Sequence, residues 1–475
     1  MANHVPLRLM QRMLYLLLAA LFLLLFVARL VTDGMFIDGV VYATLANNLA
    51  NGIGSFWALK HAERLYSSFY EHPPLMPGLQ SVFFKVLGSG YLTERVYCLV
   101  VSLLTMLFIA RIWQRILPNS PLRNWWPLPL FFWMLNEDAY LSYTSNMLEC
   151  TMTLFNLGAV LCLLRWYTGT TAARGAALAG AAVLTILAFL TKGPAGLYPL
   201  AFFGAFAVLK NEWHWKTITA NTVFLTALTA GGLGLLLLYE PARTCLSAYF
   251  DQQVLAAIAG KRTENIAPHR LYMLQRFLET HAHFILLLGL IWYFSLKKRG
   301  LRTATATLPA FRFFAVLAAA ALLPVMISPK QAPHYIVPAL PWIALALGAA
   351  LAGILQPLRR VTVPAIATWA VGGLVVAAAF FAFSQRHKVR SDLAELKPLF
   401  AHIPPYASVG FFEKNHALVL NSYFQRYNFN DVDRFGYHHK YLIFETGQQL
   451  PPELVNDFEE ITVSTKKYKL YKHVE

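Results

Sequence analysis

The sequence predicts an all-α polytopic membrane protein of about eleven transmembrane helices, with a small α/β C-terminal domain outside the cytoplasm. Three observations carry this. The 475 residues are 57% hydrophobic and only 13% charged, too little polar surface to clothe a soluble chain of this length. Apolar runs of about 17–25 residues, each long enough to cross a hydrocarbon core, recur from the N-terminus to residue 384. The loops between them alternate in charge, as the positive-inside rule requires.

The runs fall at roughly 13–31, 96–113, 126–143, 148–166, 176–191, 194–209, 218–238, 282–296, 311–327, 333–353 and 362–384. Arg8 and Arg12 precede the first, and no small-residue cleavage site follows it, so it reads as a retained helix. With the N-terminus in the cytoplasm, the inner loops carry Arg111/Arg115/Arg123, Arg165/Arg174, Lys210/Lys216, Lys297/Lys298/Arg299/Arg302 and Arg359/Arg360. That distribution accounts for the net charge of +16, which in a soluble protein would point to nucleic acid; no nucleic-acid partner is implied. Cys98, Cys150, Cys162 and Cys245 lie in or beside apolar runs without metal-ligand spacing and read as buried small hydrophobes.

Two outer loops are long. The first, 33–94, contains Asn47, Asn48, Asn51, Gly52 and Gly54, which mark a helix end and turn. Its stretches 43–49 and 69–87 read as helices lying on the membrane surface. The second, 239–281, gathers Lys261, Arg262, Glu264, Asn265, His269, Arg270 and Arg276. Residues 1–384 thus form a transmembrane domain. Residues 385–475 form a small soluble domain whose β-like runs at 408–412, 441–444 and 461–463 alternate with turns.

The polar residues that remain are the candidates for chemistry. Asp38 sits just past the first span, where a partly desolvated carboxylate can serve as a general base on a hydroxyl, or simply cap a helix. Glu149 opens an apolar span on the same side; it can position an acceptor or bind a metal, or only favour the helix N-terminus. Glu71-His72-Pro73-Pro74-Leu75 is a proline-fixed turn that can hold a metal or an anionic head group, or be no more than a stiffened loop. Lys192, in Thr191-Lys192-Gly193-Pro194, and Lys330, a few residues before Tyr335, reach the outer membrane surface beside helix breakers. They either snorkel or, with Arg270 and Tyr335, assemble a phosphate site at head-group depth. The pairs His281/His283 and His438/His439 read as surface histidines.

Taken in order, Tyr70-Glu71-His72-Pro73-Pro74-Leu75, Leu87-Gly88, Glu94-Arg95, Leu148-Glu149, Leu190-Thr191-Lys192-Gly193-Pro194 and His334-Tyr335-Ile336-Val337-Pro338 resemble the motifs of GT-C glycosyltransferases. The protein O-mannosyltransferase-like group and the lipid A aminoarabinose transferases are the most similar, over most of 33–345. The resemblance implies a membrane glycosyltransferase in a bacterial inner membrane. It would move one sugar, with inversion, from a polyprenyl-phosphate donor to an acceptor hydroxyl on a lipid, glycan or protein at the extracytoplasmic face. It implies Asp38 as the first-loop acid and catalytic base, with Glu149 as a second catalytic acid standing where relatives have Asp. Donor-phosphate binding falls to His72, Lys192, Arg270, Lys330 and Tyr335. His72 replaces the lysine of the family's Tyr-Glu-Lys-Pro-Pro-Leu pattern, and Gly39 replaces a second acid, which argues against a protein mannosyltransferase proper. The leaving group is a phosphate monoester, so no cofactor is required. If a divalent metal binds, zinc or magnesium/manganese on Glu71 and His269 is the expectation. The alternative, a transporter or lipid flippase, would place ionisable residues near the midplane and show related halves; here the polar residues gather at one face.

Overall fold

The computed structural model describes residues 5–261, 269, 271–299, 307–328, 330–355, 365–412 and 417–474. Among them, nine helical stretches are long and apolar enough to cross a membrane: Leu9–Leu30, Leu92–Ile116, Leu148–Thr168, Ala172–Lys210, Trp215–Leu236, Tyr272–Phe294, Leu308–Ile327, Pro333–Ile354 and Ile366–His387. The difference from the eleven expected passes has two sources. Ala172–Lys210 has 39 residues, about twice the ~20 that a hydrocarbon core needs. It breaks after Lys192, where Gly193 takes φ +73° and Pro194 follows. Gly196 then lies against the backbone of Ala188, and Lys210 returns to Tyr167 with Nζ 5.0 Å from the ring centroid. One stretch therefore makes two passes.

The second source is 127–143, divided into Pro127–Leu135 and Glu137–Tyr143. Asn136 interrupts the helix and restarts it, accepting from the Ala139 N–H at 3.2 Å. Each piece is too short to span alone, yet together they run beside the first helix. Tyr15 stacks on Trp126 at 5.3 Å, Phe26 on Trp133 at 5.2 Å, and Arg29 lies 5.0 Å above Tyr140. The broken helix covers the same depth as the first one.

The first-loop helix, Ile37–Ala50, departs from the expected surface-lying arrangement: Gly39 through Asn48 are all buried. Val40-Val41-Tyr42-Ala43 has no polar stripe to turn to water. Val41, Tyr42 and Leu45 enter the transmembrane core, which also holds Trp133, Tyr143 and Leu148. Val40, Ala43 and Ala46 enter a second core with Leu393, Phe411, Tyr423 and Phe424. The following helix, Leu75–Leu87, does expose an apolar stripe of Leu79, Val82 and Val86, suited to a lipid surface.

Beyond residue 390 the chain forms the helices Ser391–Phe400 and Ala417–Asn428 and a five-stranded mixed sheet. Its strand order is Asp431–Arg434, Ser408–Phe412, Tyr441–Glu445, Tyr468–His473, Phe458–Ile461; the first three are parallel and the last two antiparallel to their neighbours. This region is stitched to the first loop. Tyr427 and Lys397 both bind the Asp33 carboxylate, Tyr423 Oη donates to the Met35 carbonyl at 3.2 Å, and Thr44 Oγ1 lies 3.3 Å from the Ser422 carbonyl oxygen. Arg426 forms a fully buried pair with Glu94 at 2.5 Å.

Candidate functional site

On the face where the C-terminal region docks, a cleft of about 400 Å³ opens between the helices. Glu71, His72, Glu149, Lys192, Lys330 and Tyr335 line its polar side, and Val254, Ala257, Ile258, Val325 and Ile327 contribute an apolar wall. The residues come from five separate parts of the chain.

Lys192 is the last residue of the helix Thr171–Lys192. Its position depends on Gly193, which needs both its left-handed φ and its lack of a side chain: a Cβ there would come 1.9 Å from Tyr249 Oη. Lys192 Nζ pairs with Glu149 Oε1 and lies 4.4 Å from the Tyr335 ring centroid. His334 Nε2 stands 3.5 Å from the same Glu149 oxygen. Glu149 is 1% exposed and sits in the first turn of Leu148–Thr168, where the helix dipole favours a carboxylate. Its second oxygen, Oε2, has no hydrogen-bond partner among the described residues.

Asp38 lies in the first turn of the first-loop helix and is half-buried. Burial pushes its pKa above the usual carboxylate range; Lys192 and Lys330 pull it back, and Glu149 and Glu71 push it further up. The depth of this helix is set by Gly39. A Cβ at 39 would fall 1.9 Å from the Ser145 carbonyl oxygen. Asn146, at φ +57°, donates to the Gly39 carbonyl at 3.0 Å and exchanges amide hydrogen bonds with Gln80 at 2.7 and 3.2 Å. The Asp38 helix is thus pressed onto the turn that immediately precedes Glu149. This contact explains why no second acid follows Asp38: any side chain at 39 would strike backbone. Gly39→Ala is expected to cost about 1–3 kcal/mol through overpacking, read by thermal unfolding in detergent. Unchanged stability would mean that the 145–146 turn yields freely.

Six of the sequence-derived candidates, Glu71, His72, Glu149, Lys192, Lys330 and Tyr335, line one cleft. Asp38 is near enough for four of them to act on its charge. Arg270 lies outside the described residues. His269 is exposed, its Nε2 is 2.7 Å from Gln275 Oε1, and it does not line the cleft with Glu71. His334 and Tyr249 belong to the site without having been given a role from the sequence. His334 was legible as a histidine beside Tyr335, but its approach to Glu149 joins residues distant in the chain. Tyr249 carried no local signal.

Two histidines read as surface residues are buried. His281 is 3% exposed because the helix containing it begins at Tyr272, well before the apolar run; its Nε2 lies 3.2 Å from Asn136 Nδ2. His439 is 8% exposed, drawn against Asp433 at 2.8 Å.

No protein-family model matches the chain, and no curated protein matches it in sequence. Solved structures do match. The apo crystal structure of ArnT from Cupriavidus metallidurans gives a TM-score of 0.65 at 14% identity, covering 95% of this chain and 96% of that one. The same protein bound to undecaprenyl phosphate gives 0.62 at 14% identity, with 97% of each chain covered. The apo Archaeoglobus fulgidus oligosaccharyltransferase gives 0.52 at 12% identity, covering 90% of this chain and 64% of that one. At such identities the likeness is one of architecture, and the architecture is the GT-C fold.

Proposed function

We propose that this protein is a membrane glycosyltransferase that moves a single sugar from a polyprenyl-phosphate donor to an acceptor hydroxyl at the extracytoplasmic face of a bacterial inner membrane. The supporting observation is the cleft itself: lysines, a tyrosine and a histidine on one side, an apolar wall on the other, and Asp38 beside it. A lipid-linked phosphate needs such a pairing, cations for the head and apolar surface for the chain. The Lys/Arg bias of the loops supports an extracytoplasmic position for this face, and for the C-terminal region with it. The ArnT fold, which binds undecaprenyl phosphate in one of the matching structures, supports the donor class.

In the proposed reaction the acceptor oxygen attacks C1 of the sugar. The bond from C1 to the phosphate oxygen breaks, its electron pair stays on the phosphate, and the acceptor proton passes to Asp38. Attack opposite the leaving group inverts the anomeric centre. Lys192, Lys330, Tyr335, His72 and Arg270 would meet the charge that grows on the departing phosphate. Lys192 has three N–H donors, so it can hold Glu149 and still donate to phosphate. Glu149 would fix Lys192 with Oε1 and accept a sugar hydroxyl with Oε2. The leaving phosphate monoester requires no metal.

Donor binding tests this reading. Replacing Lys192 alone would strand a buried Glu149 charge, at a cost of about 3–5 kcal/mol, so both members are changed together. The protein with Glu149→Gln and Lys192→Gln, in nanodiscs, is expected to stay folded and to bind undecaprenyl phosphate at least about 10-fold more weakly, since a lost charge-assisted bond is worth about 1.5–3 kcal/mol. Undiminished binding would remove Lys192 from the donor site. Absence of saturable binding by folded wild type would remove the donor lipid.

A further inference from the structure

We infer that the C-terminal sheet carries a separate site for a borderline divalent cation of the zinc class, built from Asp433, His438 and His439. It lies outside the cleft and does not depend on the transferase reading. One ligand atom from each residue lies within 4.8 Å of the other two. His439 Nε2 is 2.8 Å and His438 Nε2 3.6 Å from the same oxygen, Asp433 Oδ2. Zinc bonds of about 2.0–2.1 Å at the tetrahedral angle set neighbouring ligand atoms about 3.3–3.4 Å apart. The His438 separation is already near that value, and the His439 separation opens by about half an ångström to reach it.

The turn is shaped around this constellation. The strand Asp431–Arg434 is followed by Phe435, with φ +64°, and the chain doubles back through Gly436. A Cβ at 436 would lie 2.3 Å from Asp433 Oδ2 and 2.9 Å from His439 Nε2, so a bare glycine is what lets the two ligands approach. Gly410, on the adjacent strand, in turn leaves room for the Gly436 carbonyl, which stands 2.1 Å from where its own Cβ would be. His439 is nearly buried, whereas the His438 side chain is 70% exposed and its ring centroid lies 4.0 Å from that of His439.

Arg64 is the group that competes. Its Nε is 3.4 Å from Asp433 Oδ2, but its nearer partner is Asp431, with Nη1 2.5 Å from Oδ2. One guanidinium therefore faces two carboxylates, and it can turn fully to Asp431 when a cation takes Asp433. Two imidazole nitrogens with one carboxylate select zinc-like ions over magnesium or calcium, which prefer all-oxygen shells. A bound ion would fix the sheet edge where it meets the first loop through Arg64.

The test uses the full-length protein in detergent, stripped with a chelator and titrated with zinc. Wild type is expected to retain one more equivalent of zinc than His438→Ala, and to show a zinc-dependent rise in unfolding temperature that the variant lacks. His438 is exposed, so the metal-free stability of the variant should match wild type. Cobalt in place of zinc should give a tetrahedral visible band in wild type and lose it in His438→Ala. Arg64→Gln should tighten zinc binding by removing the competing cation. Equal stoichiometry and equal thermal shifts in wild type, His438→Ala and Asp433→Asn would overturn the site. A thermal shift with magnesium as large as with zinc would overturn the donor-set argument.

Discussion

Asp38→Asn is expected to lower the rate of sugar transfer by about 10²–10⁴-fold, the usual contribution of a positioned general base, while the protein stays folded. The substitution keeps the shape of the side chain and removes its charge and its ability to take a proton. It should also leave stability unchanged or slightly improved. Burial raises the Asp38 pKa, so at neutral pH the folded state bears a cost for keeping the carboxylate ionised, and a neutral amide does not. A variant that melts at or above the wild-type temperature yet turns over slowly would separate chemistry from folding. Transfer near the wild-type rate would exclude Asp38 as the base.

The same shift predicts the pH profile. The base works in its ionised form, so kcat/KM should rise with pH through the raised Asp38 pKa, with an acid limb above the ordinary carboxylate range. Lys192 lowers that pKa and Glu149 raises it. In the protein with Glu149→Gln and Lys192→Gln the larger effect, that of Lys192, is lost, and the limb should move to higher pH. A limb at the pH of an exposed aspartate would mean that Asp38 is solvated during turnover.

The second large effect is on stability. Arg426→Ala is expected to cost about 3–5 kcal/mol, the penalty for breaking a buried ion pair and stranding one charge. Arg426 and Glu94 side chains are each 1% exposed and meet at 2.5 Å. Arg426 also donates to the carbonyls of Ser89 at 2.9 Å and Gly90 at 3.1 Å, and its guanidinium lies 4.8 Å from the Phe84 ring centroid. Its loss leaves Glu94 charged and two carbonyls without their donor, at the point where the first loop enters the second span. Because domain stabilities are about 5–15 kcal/mol in total, the C-terminal region should then detach at temperatures the wild type tolerates. Glu94→Leu with Arg426→Met, which removes both charges and keeps apolar volume, should recover much of the loss. Thermal unfolding in detergent reads all three proteins. A change below about 1 kcal/mol for Arg426→Ala, the range of exposed pairs, would show that water reaches the pair.

Apolar runs and the alternation of basic loops are local properties, and they were enough for a polytopic helical protein with its polar residues at one face. Local motifs likewise carried Glu71, His72, Glu149, Lys192, Lys330 and Tyr335, since helix breakers beside charged residues mark span ends whatever their neighbours are. Where local patterns failed, the cause was a contact between distant segments. The first-loop helix reads as surface-lying until the C-terminal region covers its second apolar face. His281 reads as exposed until Asn136 is set beside it. The approach of His334 to Glu149 and of Tyr249 to Gly193 leaves no periodicity or spacing to detect. Composition and hydropathy by themselves determined the solvent this chain folds in and which ends of its spans carry its polar residues. The tertiary structure alone decided which of those ends meet, because desolvation, ion pairing and steric fit act between side chains whose separation along the chain holds no record of their distance in space.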